Sequence, residues 1–105
     1  MNPQQQKVTL ETPLQRGETT VTELELIKPN AGALRGASLR GLLDFQADDI
    51  ITVTPRITLP ALTAQEAQRL DPADLIQIGT VLAGFLLPKR ILEQAEADAL
   101  NSRTA

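Results

Sequence analysis

The first quarter of the chain alternates apolar and polar residues, the pattern of a β-strand with one buried face. Residues 7–12 place Val8 and Leu10 on the same side, and residues 20–28 alternate in the same way. Period-two alternation with β-branched residues predicts two half-buried strands. Residues 13–18 join them and contain the proline and glycine typical of a turn. The pattern therefore predicts an antiparallel hairpin at the start of the chain.

The second strand carries one irregularity. Val21 is out of phase with Leu24 and Leu26, so the three cannot share one face of a regular strand. A β-bulge would restore the phase, because an extra residue shifts the alternation by one. A strand that starts late is the alternative, and the sequence leaves both open.

The rest of the chain shows helical signals of uneven strength. Residues 31–45 have apolar residues at helical spacing but also three glycines, each costing up to ~1 kcal/mol relative to alanine. We expect an irregular segment there, with a helix only from about Ser38. Residues 47–55 are ambiguous, because Asp48 and Asp49 suit the first turn of a helix whereas the β-branched residues after them suit a strand. We expect a short helix.

Two helix-start signals follow close together. Thr63 and Glu66 have the spacing of a capping box, in which each side chain accepts the backbone N–H of the other residue. Asp71 precedes a proline suited to the first helical position, and Asp74 places a carboxylate at the positive end of that helix. The sequence thus predicts a short helix over residues 64–70 and a separate, longer helix after Asp71.

The longer helix, residues 72–87, has more apolar surface than one core contact requires. One stripe comprises Leu75, Ile78, Leu82, Phe85 and Leu86, and a second comprises Ile76, Ala83 and Leu87. Pro88 is expected to stop or kink the helix. Residues 89–100 are predicted to continue as helix, and residues 101–105 to form a frayed tail.

Together these elements predict one small α+β domain. The N-terminal antiparallel β-hairpin, residues 7–28, is expected to pack on a small bundle of three to five helices within residues 31–100, since a lone hairpin is marginal in water. Residues 1–6 are polar and are predicted to be disordered. A length of 105 residues fits one domain.

Composition narrows the classes of partner. The net charge is −3 and the ten cations are scattered, so no basic patch for nucleic acid or anionic lipid is expected. Aromatic residues make up 2% of the chain, which leaves an aliphatic core and little surface for stacking bases. The longest apolar-rich run, residues 75–87, is shorter than the ~20 residues that span a membrane. With no signal-peptide pattern at its start, the protein is predicted to be cytosolic.

The sequence offers no catalytic or metal-binding constellation. It has no Cys and no His, which removes thiolate and imidazole chemistry and zinc sites of the Cys/His type. Of the carboxylates Asp44, Asp48, Asp49, Asp71 and Asp74, the last two are explained as helix-capping residues, while Asp48 and Asp49 are expected to be solvated. We predict neither an enzyme nor a bound cofactor or metal.

The surplus apolar surface has two interpretations. It belongs to a central core helix, which is common, or part of it stays accessible and binds an apolar helix of another protein. The predicted partner-binding residues are Leu42, Leu43, Ile76, Leu82, Ala83, Leu86 and Leu87. The edge of the hairpin could also pair with a second copy, so a homo-oligomer is a further expectation.

A particular order of short motifs runs through roughly residues 7–87. KVTLETPL and VTELELIKPNAGALRG form the strand pair, and PRITLPALTAQEAQRLDPADLIQIGTVLAGFL follows. The most specific part is Pro-Arg-Ile-Thr, then a capped short helix, then Leu-Asp-Pro-Ala-Asp-Leu and an apolar helix that ends in Gly-Phe-Leu. This order resembles the tail assembly chaperones of Mu-like contractile-tailed phages.

The resemblance implies a small, non-enzymatic protein that acts in the host bacterial cytoplasm and is absent from the mature virion. Its partner would be the tape measure protein, a long, largely helical and apolar chain that sets tail length. The chaperone would keep that chain soluble and leave as tail tube protein polymerises around it. In many such phages a frameshift yields a longer form of the chaperone, which is a further expected partner.

Two other classes stay open from the sequence. The first is a structural tail completion or connector protein that remains in the virion. The second is a small protein-interaction domain unrelated to phages. Its presence in purified particles would separate the first class from a chaperone, and the neighbouring genes would test the second.

Overall fold

The computed structural model describes residues 5–88 together with Ile91 and Gln94. Within them the chain forms a three-stranded antiparallel sheet of order β1-β2-β3 and four α-helices. The predicted α+β class, with an N-terminal antiparallel hairpin and a helical layer, is confirmed. The predictions for residues 1–4, and for most of residues 89–105, lie outside the described residues.

The hairpin consists of β1 (Gln5–Arg16) and β2 (Thr19–Ile27). Gln5 pairs with Ile27, so β1 starts inside the stretch that its polar composition predicts to be disordered. The turn is also shorter than predicted, because the strand pairing resumes after the proline and continues to Arg16. Gly17 makes the turn at a φ of +60°, which glycine adopts without steric cost.

The pairing of β1 with β2 is interrupted once. Thr9 faces Glu23 and Leu14 faces Val21, so four residues of β1 lie opposite a single residue of β2. Val21 is buried together with the rest of the inner face. An irregularity is therefore present, but its extra residues belong to the first strand and not to the second, where the phase shift is visible in the sequence.

The helices agree closely with the capping and periodicity signals. A 3-10 helix at Ala31–Leu34 precedes α1 (Leu39–Leu43), α2 (Ala47–Ile57), α3 (Ala64–Gln68) and α4 (Pro72–Leu86). Ser38 caps α1, and the ambiguous residues 47–55 are helical, as expected. Both bonds of the Thr63–Glu66 capping box are present, and Asp71 accepts the N–H of Ala73 at 2.8 Å.

A third strand, β3 (Thr58–Leu59), is not predicted by the sequence pattern. It pairs with Glu25 and Leu26 of β2, directly after α2 ends. Two residues are too few for the alternation that marks a strand. The hydroxyl of Thr58 fixes the junction, because it donates to the carbonyl of Thr54 and accepts the N–H of Leu62.

The core between sheet and helices is aliphatic, as the composition predicts. Its largest side chains with 1% exposure or less are Leu24, Leu26, Leu42, Ile50, Val53, Ile78 and Leu82. Burying an aliphatic side chain of this kind contributes about 1.5–3 kcal/mol. The core therefore draws on the hairpin, α1, α2 and α4.

A buried carboxylate of α4 holds the irregular part of β1. The N–H groups of Glu11 and Thr12 donate to the two oxygens of Asp74 at 2.7 and 3.1 Å. Gln77 donates both to Asp74 Oδ1 at 2.9 Å and to the carbonyl of Thr9 at 3.1 Å. Asp74 is 0% exposed. Asp74, predicted to serve the start of its own helix, thus also binds two backbone N–H groups where the strand ladder is broken.

A second polar contact ties the hairpin turn to α3. Arg16 donates from Nε and Nη2 to the two carboxylate oxygens of Glu66, at 3.0 and 2.6 Å. Arg16 Nη2 also donates to the carbonyl of Ala61 at 2.9 Å. The hydrogen bond from Arg16, followed by that from the N–H of Thr63, lowers the pKa of Glu66 to about 2. Glu66 therefore serves both the capping box and this ion pair.

We expect Asp74→Ala to destabilise the domain by about 2–4 kcal/mol, because it leaves two backbone N–H groups without their acceptor. Urea unfolding followed by circular dichroism measures this. Asp48→Ala is the matched control, since Asp48 lies exposed in the first turn of α2. That substitution removes only the favourable interaction of the carboxylate with the helix dipole, about 0.3–1 kcal/mol. Equal losses in the two variants would show that the contact with β1 contributes nothing.

Acidification should test the Arg16–Glu66 pair. Since the pKa of Glu66 is about 2 in the folded protein and higher in the unfolded chain, its contribution is complete above the unfolded pKa and is lost as pH falls towards 2. Glu66→Gln should be less stable at neutral pH and lose less stability on acidification. Urea midpoints across this range, with the exposed Glu18→Gln as control, measure the difference; parallel profiles for wild type and Glu66→Gln would contradict it.

Candidate partner-binding surface

The described part of the chain contains no group of three or more acidic residues placed to hold a metal ion. None of its helices is long and apolar enough to cross a membrane. The carboxylates singled out from the sequence do not converge: Asp44 pairs with Arg40 at 3.0 Å, and Asp49 accepts the N–H of Ser38 at 2.9 Å. The distinctive surface of the described residues is apolar.

Two of the predicted partner-binding residues lie in the core. Leu42 and Leu82 are each 0% exposed. Periodicity could not separate them from their exposed neighbours, because α1 packs against α4 and each helix turns one stripe inwards. In this conformation neither side chain offers surface to a partner.

The other predicted residues reach the surface to different extents. Leu43 is 38% and Ile76 is 59% exposed. Three half-buried residues continue along the second half of α4 and its C-cap: Ala83, Leu86 and Leu87. Leu86 also packs against the core, so it has a structural role of its own.

Phe45 belongs to this surface, although the sequence analysis did not select it. Its φ is +59°, a left-handed conformation that is rare for a bulky residue. The N–H of Gln46 donates to the carbonyl of Gly41 at 2.8 Å, and the N–H of Phe45 to that of Leu42 at 3.2 Å. These two bonds form a Schellman motif at the end of α1, in which glycine usually occupies the position of Phe45.

The ring of Phe45 lies directly against α4. A Cβ atom added at Gly79 would be 3.0 Å from Phe45 Cδ2 and 2.9 Å from Ile50 Cδ1. Gly79 is therefore required for this close approach. Because Ile76 precedes Gly79 by three residues and Ala83 follows it by four, the ring joins α1 to the apolar surface of α4.

We call this surface the α1–α4 patch and define it by its four exposed large side chains. They are Leu39 at 56% exposure, Leu43 at 38%, Phe45 at 42% and Ile76 at 59%. Exposed apolar residues that occur singly need no explanation, whereas large apolar patches are typical of interaction sites, so these four residues are the candidate partner-binding surface.

A shallow groove lies beside the second half of α4. Gln6 of β1 and four residues of α4 line it: Thr80, Val81, Gly84 and Phe85. A Cβ atom at Gly84 would contact nothing within 4 Å, so the packing of this domain does not require glycine there. The groove adds these residues to the accessible surface of α4.

The chain is thus a small α+β protein whose distinctive surface is apolar. Residues 7–87 match the family described as phage tail assembly chaperone proteins, E, or 41 or 14, and the chain belongs to this family. This confirms the resemblance, over the same stretch of sequence.

Two similar proteins come from Escherichia phage P2. Tail assembly protein E is 40% identical over 84 residues, which cover 80% of this chain and 92% of that protein. Tail assembly protein E′ is 41% identical over 80 residues, which cover 76% of this chain and 56% of that protein. The chain therefore spans almost all of protein E but about half of the longer E′. No solved structure matches the chain.

The two glycines of α4 should respond oppositely to the same substitution. Gly84→Ala should stabilise the domain by up to ~1 kcal/mol, because alanine favours helix and its methyl group meets only open space. Gly79→Ala should destabilise it by about 1–3 kcal/mol, because the methyl group would overlap Ile50 and Phe45. Urea unfolding measures the change in stability of each variant. A Gly79→Ala protein that is more stable than wild type would contradict the close packing of Phe45 against Gly79.

Proposed function

We propose that this protein is a chaperone for the tape measure protein of its phage, keeps that apolar helical chain soluble, and is released as tail tube subunits polymerise around it. Membership of the tail assembly chaperone family supports the general role. The observation that carries the specific role is the α1–α4 patch, in which four large apolar side chains are between 38% and 59% exposed.

The patch suits an apolar helix as its ligand. Helices present side chains at intervals of three and four residues, and such rows pack against a neighbouring helical surface of similar spacing. Leu39 and Leu43 are four residues apart on α1, and Ile76 lies on the adjoining α4. A client helix would cover these side chains as a third helix packed on the pair.

Magnitudes favour weak and reversible binding. Covering the exposed half of a large apolar side chain contributes about 1 kcal/mol, so the four residues supply about 4 kcal/mol in total. That corresponds to a dissociation constant of about 1 mM, before the entropy cost of association is subtracted. Useful affinity then requires many contacts along one client, and such avidity allows release when the tube subunits compete.

The same role places the protein in the host bacterial cytoplasm and outside the finished virion. The pair of proteins E and E′ in phage P2 motivates a second partner, a longer frameshifted form of this chain that shares the domain and binds the same client. The tail tube protein would be the partner that displaces both.

Pairing of the β1 edge with a second copy of the chain is less favourable than binding of a client helix to the patch. Asp74 already binds the N–H groups of Glu11 and Thr12, and Gln77 binds the carbonyl of Thr9. The middle of β1 therefore has few free backbone groups for pairing with a second copy. A homo-oligomer, where one forms, would have to use the first residues of β1 or another surface.

Co-expression tests the proposal. The wild-type protein should raise the soluble fraction of its tape measure protein, and Ile76→Gln should lower that gain several-fold without changing the urea midpoint, because Ile76 is exposed. Leu59→Thr is the matched control, since Leu59 is 48% exposed but lies on β3, which contributes no residue to the patch.

Two outcomes would overturn the proposal. A client whose solubility is unchanged by the wild-type protein would remove the chaperone role. Mass spectrometry that finds the protein at stoichiometric levels in purified particles would assign it to the structural tail proteins.

A further inference from the structure

We propose that residues 36–45, which include α1, act as a lid that opens and admits an apolar client helix to the surface of α2 and α4 beneath it. We call this segment the α1 lid. The identity of the client rests on the proposed function, whereas the opening is a property of the fold and is tested separately. The open state offers core surface that the closed α1–α4 patch does not.

Few contacts attach the α1 lid to the core. Within residues 36–45, all of which the structure describes, the buried residues are Gly41 and Leu42, so Leu42 is the one large side chain that is fully buried. α1 has five residues, and a helix this short has no stability without tertiary contacts. Segments with so few buried apolar contacts are those that open locally, while the rest of a domain stays folded.

Both ends of the lid have a left-handed backbone, with a φ of +82° at Gly36 and +59° at Phe45. Directly before Gly36 the chain is held in place, because Arg56 of α2 donates to the carbonyls of Ala33 and Arg35. At the other end, a bulky residue at positive φ is strained, and opening relieves that strain at Phe45. The two ends are therefore the hinges of the lid.

One exposed hydrogen bond ties the closed lid to α2. Asp49 Oδ1 accepts the N–H of Ser38 at 2.9 Å. The same carboxylate lies directly against α1, since a Cβ atom added at Gly41 would be 1.8 Å from Asp49 Oδ2. An exposed hydrogen bond contributes little net stability, because water replaces either partner. Asp49 thus positions the closed lid without preventing it from opening.

The surface beneath the lid already receives a helix, which indicates what else fits there. α1 contacts both α2 and α4, and its Leu42 is 0% exposed. Phe45 lies over Gly79, and Ile50, which is 1% exposed, is beside it. Gly79 has no side chain, so another backbone can approach α4 closely at this point. An apolar helix that carries a leucine reproduces the contacts that α1 gives up.

A client that binds the closed patch already bridges the moving and the fixed element. Leu39, Leu43 and Phe45 lie on the lid, whereas Ile76 lies on α4. The closed patch alone supports a dissociation constant of only about 1 mM. Opening adds Leu42 and Ile50 to the surface that the client covers, so it raises the affinity without a second site.

Hydrogen exchange measured by NMR tests the opening. The N–H groups of Leu42 and Asp44 each donate to a carbonyl one turn back at 2.9 Å. They should exchange at least about tenfold faster than those of Ile78 and Leu82 on α4, and low urea should not change their rates. Equal protection in α1 and α4 would show that α1 opens only when the whole domain unfolds, which would overturn the proposal.

Two pairs of variants locate the lid. Gly36 and Gly17 are both exposed, both have positive φ, and neither has an atom within 4 Å of an added Cβ. Gly36→Ala should speed exchange in the lid about tenfold, because alanine strains the closed state, whereas Gly17→Ala should leave it unchanged. Asp49→Ala should likewise speed exchange more than Asp48→Ala. Equal effects within both pairs would contradict the hinge and the contact with α2.

Peptide binding tests the link to the client. The probe is a synthetic helical peptide of about 20 residues with a stripe of leucine and alanine, and fluorescence anisotropy measures its binding. Gly36→Ala and Asp49→Ala should bind it several-fold more tightly than wild type, because more of each variant is open, and Gly17→Ala should bind it as wild type does.

The outcomes separate the lid from the proposed function. Unchanged or weaker binding by the variants with faster exchange would show that the peptide uses the closed patch alone, which overturns the lid and leaves the chaperone role standing. If neither wild type nor the variants bind the peptide, the proposed function fails, whatever the exchange pattern. A dimer that forms only in the opened variants, detected by size-exclusion chromatography, would assign the uncovered surface to a second copy.

Discussion

Asp74 joins the two layers of the domain at the point where the ladder between β1 and β2 is broken. Apolar contacts are non-directional and would allow α4 to rotate about its axis, whereas two hydrogen bonds to fixed backbone groups do not. Asp74, Ile78 and Leu82 follow one another at four-residue spacing and are all 0% exposed. Because this stripe is fixed inwards, Ile76 is directed outwards, and the exposed surface of α4 follows from the position of the carboxylate.

The α1–α4 patch follows from the same constraint and from one unusual backbone conformation. Phe45 occupies a left-handed position that glycine would adopt at lower cost, by about 1–2 kcal/mol. Its ring is seated against Gly79 and is still 42% exposed. A strained residue that leaves a large apolar side chain accessible is typical of a binding surface, since the surrounding structure maintains it at a cost in stability.

Local signals in the sequence were sufficient for most of the secondary structure. Thr63, Glu66 and Asp71 bind the backbone within three residues of themselves, and their roles can be read from spacing alone. The burial of Asp74 could not be predicted in this way, because its acceptor role depends on N–H groups more than sixty positions away. The phase shift at Val21 predicted an irregular hairpin. It could not show which strand carries the extra residues, because that depends on how the two strands pair. The inward faces of Leu42 and Leu82 likewise depend on how α1 packs against α4.

The contact between Glu11 and Asp74 spans 63 positions of the chain. A ribosome releases the hairpin first and α4 much later, and at about 5–20 residues per second the interval is several seconds. During that time the N–H groups of Glu11 and Thr12 lack their acceptor, and the apolar face of the sheet is not yet covered by α4. Until α4 has been synthesised, the protein that we propose as a chaperone for an apolar chain therefore exposes an apolar face of its own.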